Sequence, residues 1–287
     1  MKYAWIEQQS VDYGVDLLCS IVSVSRSAYY AWTKATETNK AKYDKELTSK
    51  ITHAFSQNRA VYGTRRLKAV LAKQGDTVSR RRIGRIMEQQ QLRCKSKRRF
   101  KATTDSSHEL PIADNQLARQ FNVSQPNQAY VGDITYIHTQ QGWLYLAVVI
   151  DLYSRQVVGW SMAEHMKTKL VNDALIMAIW QRKPPKGLLW HTDRGSQYAS
   201  QSHRLLLQQH SIQQSMSRKA NCWDNAVAES FFHTLKTECT NHENYSTRDA
   251  AKKSIFDYIE VFYNRQRLHS SNGYLSPVAF ENQQKAA

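Results

Sequence analysis

Three short runs of strand-forming residues follow one another closely near the middle of the chain. They read Tyr130-Val-Gly-Asp-Ile-Thr-Tyr-Ile-His138, Trp143-Leu-Tyr-Leu-Ala-Val-Val-Ile150 and Gln156-Val-Val-Gly-Trp-Ser161. β-Branched and aromatic side chains fit the pleated surface of a sheet, and only a few residues separate the runs. The stretch therefore predicts three consecutive strands joined by short turns, which form an antiparallel meander.

Helical and strand patterns alternate further along the chain. Apolar residues recur at helical spacing over 169–181, a short buried strand is expected over 188–192, and another helix over 202–210. A meander followed by alternating strands and helices describes a mixed sheet flanked by helices. We therefore assign this half of the chain to the α/β class.

The composition is that of a folded, basic protein. The chain has 287 residues, 41% of them hydrophobic, with 40 Lys and Arg against 24 Asp and Glu. This excludes collagen-like and disordered classes. The net charge of +16 indicates a polyanionic partner, with nucleic acid favoured over a membrane. Because no apolar span or leader is visible, we expect a cytoplasmic, nucleoid-associated protein without a membrane partner.

Much of the positive charge lies in one block, from Arg65 to Lys101, which holds 14 basic and two acidic residues. Apolar spacing predicts one helix over 64–75 and a second that begins after Ser79 as its N-cap. Such a pair, with arginines crowded at the start of the second helix, is typical of a helix-turn-helix that enters the DNA major groove. The alternative is a solvated basic helix pair. The residues expected to contact DNA are Arg65, Arg66, Arg80, Arg81, Arg82 and Arg85.

A further helix pair is predicted within 17–32, with Ser25 as an N-cap. Its aromatic residues, Tyr29, Tyr30 and Trp32, are expected to pack in a core; a second helix-turn-helix is the alternative. These patterns divide the chain into four segments. They are an all-helical N-terminal segment over 1–45, a basic helix-turn-helix domain over 46–100, a linker over 101–124, and a mixed-sheet core with a C-terminal helical tail over 125–287.

Three acidic residues stand at unusual places in this core. Asp133 interrupts the first strand, Asp193 follows the short strand over 188–192, and Glu229 lies in a predicted helix. Carboxylates at the ends or in the middle of core elements suit hard divalent cations such as Mg²⁺. The chemistry that uses such a site is phosphoryl transfer. The four cysteines are far apart and form no C-x-x-C pair, which argues against a zinc site.

The helix that carries Glu229 is expected to be capped by Asp224 or Asn225. At 100° per residue its buried stripe consists of Val227, Phe231 and Leu235. The opposite face then carries four polar residues, namely Asn225, Glu229, His233 and Lys236.

Several motifs resemble one family of mobile-element proteins. They are Asp133-Ile-Thr-Tyr, Gly142-Trp-Leu-Tyr-Leu-Ala-Val-Val-Ile-Asp-Leu-Tyr-Ser-Arg155, His191-Thr-Asp-Arg-Gly-Ser-Gln-Tyr198, Trp223-Asp-Asn-Ala-Val-Ala-Glu-Ser-Phe-Phe232 and Tyr263-Asn-Arg-Gln-Arg-Leu-His269. In order and spacing they are similar to the second-frame transposases of the insertion-sequence-three family, whose integrase-like core has the ribonuclease-H-type fold. The 35 residues between Asp193 and Glu229 equal the spacing in that family's acidic triad.

The resemblance implies roles for particular residues. Asp133, Asp193 and Glu229 match the metal ligands, and Lys236 matches a basic residue that could hold a DNA-end phosphate. His191 is expected to support the ligands or to pack. Asn272 stands where the family usually has Leu, and we expect it to weaken packing of the C-terminal tail.

The resemblance also implies a reaction and partners. The reaction is cleavage at the 3′ ends of an insertion sequence followed by strand transfer, with two Mg²⁺ ions or Mn²⁺ as a substitute. The partners are terminal inverted repeats, target DNA, further copies of the chain on paired ends, and a first-frame product as fusion or separate protein. Two alternatives remain, a non-enzymatic DNA-binding regulator of transposition and a hydrolytic nuclease of the same fold.

Overall fold

The computed structural model describes residues 1–34, 39–95, 110–219 and 222–286. The chain forms two compact units, Met1–His53 and Ala54–Ala287. Within the described part, no helix has the length and apolar character needed to cross a membrane.

The first unit contains helices α1 (Lys2–Gln9), α2 (Val15–Ile21) and α3 (Arg26–Thr33) and the beginning of α4 (Asn39–Gln57). Ser25 caps α3 as predicted, because its hydroxyl accepts a hydrogen bond from the Ala28 amide at 3.2 Å. Tyr29 is buried beside Ile6 and Leu18. Tyr30 and Trp32 are 48% and 39% exposed, so the expectation of core packing was wrong for these two aromatics.

The basic block forms the two predicted helices, α5 (Thr64–Lys73) and α6 (Arg80–Gln89). The Ser79 hydroxyl caps α6 by accepting from the Arg82 amide at 3.2 Å. The apolar side chains that face inward are Leu67, Leu71, Ile83, Ile86 and Met87. The arginines of α6 are thereby left on the outer side of the helix pair.

The helix pair is attached to the C-terminal part of the chain by buried polar contacts. The Leu268 amide donates to the Tyr62 hydroxyl at 2.7 Å, and Arg66 Nε donates to the Leu268 carbonyl at 3.0 Å. Lys95 Nζ donates to the carbonyl of Glu238 at 3.1 Å. Residues 54–95 therefore belong to the same compact unit as the sheet. The division into four functional segments stays a prediction.

Part of the predicted linker over 101–124 lies outside the described residues. Its described portion, from 110 onward, packs on the core. The Ser215 hydroxyl accepts from the amides of Gln116 and Leu117 at 2.9 and 3.2 Å, and Leu117 is buried. This portion therefore has a fixed course without forming a helix or strand.

The core is a five-stranded sheet in the order β3-β2-β1-β4-β5. The strands are β1 (Ala129–Thr139), β2 (Gly142–Asp151), β3 (Val157–Ala163), β4 (Leu189–Thr192) and β5 (Gln213–Met216). The first three form the predicted antiparallel meander, and β4 and β5 are parallel to β1. The strand β5 has no signal in the sequence, because its polar residues pair as an edge strand only once β4 is in place.

Helices cover both faces of the sheet. The helix α7 (Thr168–Arg182) packs closely on β3, where a Cβ atom on Gly159 would lie 2.2 Å from the Ala174 carbonyl oxygen. The remaining helices are α8 (Ser196–Ala199), α9 (Gln201–Gln209), α10 (Ala226–Glu238), α11 (Arg248–Phe256), which continues as a π-helical segment (Asp257–Tyr263), and α12 (Pro277–Ala286). Short 3₁₀ turns cover Cys222–Asn225, Thr240–His242 and Ser270–Asn272.

The C-terminal tail is held by the residue that was expected to weaken it. Asn272 is buried, and its Nδ2 donates to the Ser154 carbonyl at 2.7 Å. The expectation was wrong because an amide can satisfy a buried backbone acceptor that a Leu side chain would leave unpaired.

Candidate active site

Asp133 lies in the middle of β1, and the backbone ladder continues through it opposite Val148. The strand predicted over 130–138 is therefore confirmed, with the carboxylate of Asp133 standing among strand-forming residues. The preceding residue, Gly132, lies against the indole of Trp190, because a Cβ atom on this glycine would be 2.1 Å from the indole Cη2. The side chain of Asp133 is half-buried, and its Oδ1 accepts from the Ile134 amide at 2.7 Å.

Asp193 comes directly after β4, at the same level of the sheet as Asp133. Val131 of β1 pairs with His191 of β4 in the parallel register, so each aspartate lies two residues beyond a paired position. Parallel neighbouring strands place such residues side by side. Asp193 Oδ1 accepts from the Gly195 amide at 2.9 Å, which turns the chain away from the strand.

His191 is a buried support for this turn. Its Nδ1 lies 2.8 Å from the Ser215 hydroxyl and its Nε2 lies 3.1 Å from the Ser217 hydroxyl. Burial lowers the pKa of His191 to about 4. The geometry confirms a packing role, and support of the ligands stays a prediction.

Glu229 lies in the first turn of α10 and is exposed. The start of α10 is tied to β1 by Asn225, whose Nδ2 donates to the Gly132 carbonyl at 3.2 Å. Neither candidate cap makes a capping bond. Asn225 is the N-cap residue without a side-chain bond to the helix, and the carboxylate of Asp224 binds arginines instead. The predicted N-cap position of Asn225 is therefore confirmed, although its side chain makes no capping bond, and Asp224 is not the cap.

The faces of α10 also differ from the simple periodic prediction. Phe231 and Leu235 are buried as expected, but Val227 is only partly buried. Asn225 and Lys236, placed on the polar face, are buried as well. The reason is that α10 packs against β1 on one side and against the C-terminal helices on the other.

The three predicted acids influence one another electrostatically. Burial raises the pKa of Asp133 well above its usual value, and the charges of Asp193 and Glu229 raise it further. Burial and Asp193 likewise raise the pKa of Glu229. The register of β1 and β4 places Asp133 and Asp193 side by side, and the bond from Asn225 to Gly132 holds the start of α10, which carries Glu229, against the same part of β1.

A divalent cation fits the donor chemistry of this region. Three carboxylates supply the oxygen ligands that Mg²⁺ prefers, and a cation would relieve their repulsion. Asn225 Oδ1 is a further buried oxygen, and it accepts no hydrogen bond from the described residues. Across residues 1–34, 39–95, 110–219 and 222–286, no three His, Cys, Asp or Glu side chains are already gathered around a single ion position.

Lys236 lies on the inner side of α10, near Asp133. Its Nζ is 4.8 Å from the centre of the Tyr136 ring, and its side chain is buried. Desolvation lowers the pKa of Lys236 to about 8, while the charge of Asp133 opposes this shift. The ammonium group thus lies over β1 three residues from Asp133, on the side of the strand that α10 covers.

The predicted DNA-contacting arginines fall into two groups. Arg65, Arg80, Arg81 and Arg85 are exposed, and Arg82 is partly exposed. Arg66 points inward, where it donates to the Leu268 carbonyl and lies 3.6 Å from Glu238. This geometry favours the first group as the surface available to DNA.

Sequence reasoning missed the polar network around Asp224. This carboxylate is fully buried and accepts from Arg119, Arg218 and Asn115 at 2.8 to 2.9 Å. The only signal in the sequence was the position of Asp224 before a helix, which suggested a cap. Its pairing with Arg119 could not be predicted, because a partner over a hundred residues away leaves no local pattern.

Comparisons with known proteins agree with this architecture. Family models described as "Integrase core domain" match residues 123–222 and 229–284, and one described as "HTH-like domain" matches residues 42–100. The chain is 41% identical over 288 residues to the transposase InsF for insertion sequence IS3A of Escherichia coli (strain K12), with 100% of both chains covered. The chain belongs to the IS3-type transposase family.

Another curated protein and two solved structures are also similar to this chain. An uncharacterised 31 kDa protein of insertion element IS600 from Shigella sonnei is 46% identical over 263 residues, which cover 92% of this chain and 97% of that protein. A simian T-cell lymphotropic virus intasome chain, solved in complex with PP2A regulatory subunit B56 gamma, gives a TM-score of 0.47 at 17% identity and covers 80% of this chain and 73% of that chain. The HTLV-2 integrase catalytic core domain, solved in complex with magnesium, gives a TM-score of 0.39 at 18% identity, and the match covers 54% of this chain and 97% of that chain.

The expectation of an IS3-type transposase with a helix-turn-helix-like region and an integrase-type core is therefore confirmed. As a member of this family, the chain is an enzyme of the polynucleotidyl transferase type. The α/β class is confirmed by the mixed sheet itself.

Proposed function

We propose that this transposase cleaves DNA at the ends of its own insertion sequence and joins the freed 3′ ends to target DNA in a Mg²⁺-dependent reaction. The observation that supports the proposal is the placement of Asp133 and Asp193 on neighbouring parallel strands, with the start of the Glu229 helix bonded to β1 at Gly132, in a chain of this family. Two Mg²⁺ ions, with Mn²⁺ as a substitute, would supply activation of the attacking oxygen and stabilisation of the leaving oxygen.

The residues of the chain divide this work. Asp133 and Asp193 each lie two residues beyond the last paired position of β1 and β4, and they would hold the ions. Glu229 would complete the ligand set from α10. Lys236 would bind a phosphate of the DNA end beside Asp133. No covalent bond between protein and DNA is required, since water and then the 3′-hydroxyl act as nucleophiles.

DNA recognition falls to the basic helix pair. The exposed arginines Arg80, Arg81 and Arg85 at the start of α6, with Arg65 of α5, would bind the terminal inverted repeats. Arg82 would contribute at the edge of this surface, and Arg66 would hold the helix pair in place. Joining two ends requires that two recognition surfaces act together, so several copies of the chain are expected on paired ends. A first-frame product, fused or separate, would add to this assembly. DNA binding of this kind would also keep the protein on the nucleoid.

The test compares two aspartate variants that remove one charge each. Asp193→Asn should reduce Mg²⁺-dependent cleavage of end DNA by at least about 100-fold and leave end binding unchanged, because only the metal ligand is altered. Asp173→Asn, on the exposed side of α7, is the matched control and should cleave at the wild-type rate. Full cleavage by Asp193→Asn would refute the assignment. If the wild-type protein binds end DNA but does not cleave it, a regulator is favoured. If it cleaves end DNA but does not join the 3′ ends to target DNA, a hydrolytic nuclease is favoured.

A further inference from the structure

Trp223 is a large aromatic side chain with no evident part in folding. It is 69% exposed in the 3₁₀ turn Cys222–Asn225, directly before the helix that carries Glu229. An indole is rich in apolar surface, and most tryptophans bury much of it or use it for recognition. A tryptophan held in water beside an active site is therefore a candidate for contact with the substrate.

The turn below Trp223 is rigidly anchored. The neighbouring Asp224 has no exposed surface and accepts bonds from Arg218 Nε and Nη2 at 2.9 and 2.8 Å and from Arg119 Nε at 2.8 Å. Asn225, the next residue, is also anchored, because its Nδ2 bonds to the Gly132 carbonyl. Since these bonds hold the backbone directly after Trp223, the indole needs less further ordering to bind a partner.

The same anchors place Trp223 near the acids. Asn225, two residues away, bonds to the carbonyl of the residue before Asp133, and Glu229 lies six residues further along the chain. A group bound on the indole would thus be adjacent to the phosphodiester that the acids act upon.

The surroundings of the indole are basic. The side chains of Arg218 and Arg119 remain 54% and 44% exposed while they bind Asp224, and Lys219 is exposed as well. Two of these three cations pair with the buried Asp224 and still present part of their surface to solvent. An aromatic face among cations is the combination that binds unpaired nucleic acid, since the cations attract the backbone and the ring stacks on a base.

We propose that the Trp223 indole stacks on a nucleobase that has left its pair at the DNA end, next to the phosphodiester to be cleaved. The inference rests on the proposed function and adds a residue that shapes the substrate. Bases inside a duplex already stack on both neighbours, so the ring gains a partner only where pairing has opened. Stacking on the indole compensates for the lost pairing and thereby favours the opened end.

The first experiment measures cleavage of two end DNAs, one fully paired and one whose terminal bases are unpaired by mismatches. Trp223→Ala should cleave the paired DNA about tenfold more slowly than the wild type, and Trp223→Phe should recover most of the rate because it keeps an aromatic face. On the mismatched DNA, Trp223→Ala should approach the wild-type rate, because the terminal bases are already unpaired and stacking on the indole is no longer needed to open them. Trp180→Ala, which removes another exposed indole, 75% exposed on α7, is the matched control and should cleave normally.

The second experiment does not depend on cleavage. A 2-aminopurine placed at the unpaired end position reports stacking by a loss of fluorescence. The wild type, Trp223→Phe and Trp180→Ala should quench it on binding, and Trp223→Ala should not. Quenching by Trp223→Ala equal to that of the wild type would overturn the inference, as would equal cleavage losses on both DNAs with no recovery by Phe. A wild type that quenches but cleaves neither DNA would refute the proposed function and leave stacking supported.

Discussion

The ion pair between Arg267 and Glu238 joins the end of α10 to the C-terminal tail. Arg267 Nε and Nη2 each donate to one carboxylate oxygen of Glu238 at 2.7 Å, and both residues are buried. The Tyr258 hydroxyl donates to the same carboxylate at 2.8 Å, and Arg66 lies 3.6 Å from it. The pair thereby holds the helix that carries Glu229.

Replacement of Arg267 by Ala should therefore be costly. Glu238 would keep only the Tyr258 hydroxyl and the more distant Arg66, so a buried carboxylate would lose both of its short charged bonds. Removal of one partner of a buried pair destabilises a protein by about 3–5 kcal/mol, far more than loss of an exposed pair. We expect the free energy of unfolding to fall by about that amount.

Urea unfolding followed by fluorescence measures this change, and two further variants separate its causes. Lys169→Ala breaks an exposed pair with Asp173 and should leave the midpoint nearly unchanged. Arg267→Met combined with Glu238→Leu removes both charges and should regain most of the lost stability, because no charge remains buried alone. A loss below about 1 kcal/mol for Arg267→Ala would refute the reasoning, since an exposed pair gives as much.

Three other predictions concern packing, pH and salt. Gly132→Ala should lower the free energy of unfolding by about 1–3 kcal/mol or more in urea titrations, because the new Cβ would overlap the adjacent indole, whereas Gly84→Ala, with 3.6 Å of clearance in α6, should cost nothing. Burial lowers the pKa of His203 to about 4, so the neutral imidazole stabilises the fold fully above pH 6.5, its ordinary pKa. As the pH falls from 6.5 toward 4, the free energy of unfolding should decrease by about 3 kcal/mol. His203→Gln should flatten this decline in unfolding experiments at several pH values, and His210→Gln, at an exposed site, should leave it intact; equal declines in all three proteins would contradict the assignment. If the basic helix pair makes about five phosphate contacts, the logarithm of end-DNA affinity should fall against that of salt with a slope near −4.5, and each α6 arginine changed to Ala should reduce it by about 0.9; a salt-insensitive affinity would exclude this surface.

Local patterns in the sequence determined the elements and the motifs. The alternation of β-branched and aromatic residues predicted β1 to β3, and a serine before an apolar helical stripe predicted the caps at Ser25 and Ser79. These features depend on neighbours within a few residues, so the periodicity of the sequence is enough to predict them. Asp133 and Asp193 were also found from local context, since each lies in or beside a core strand, whereas Glu229, an exposed helix acid, was singled out by its spacing from Asp193.

Only the tertiary structure decided which polar groups meet. Asp224 pairs with Arg119 rather than capping α10, and Asn272 bonds to Ser154 rather than loosening the tail. The choice depends on which distant segments the folded chain brings within about 3 Å, because a buried polar group is stable only with a partner at that distance. Sequence periodicity therefore determined which residues could carry the chemistry, and tertiary packing decided how each of them is held.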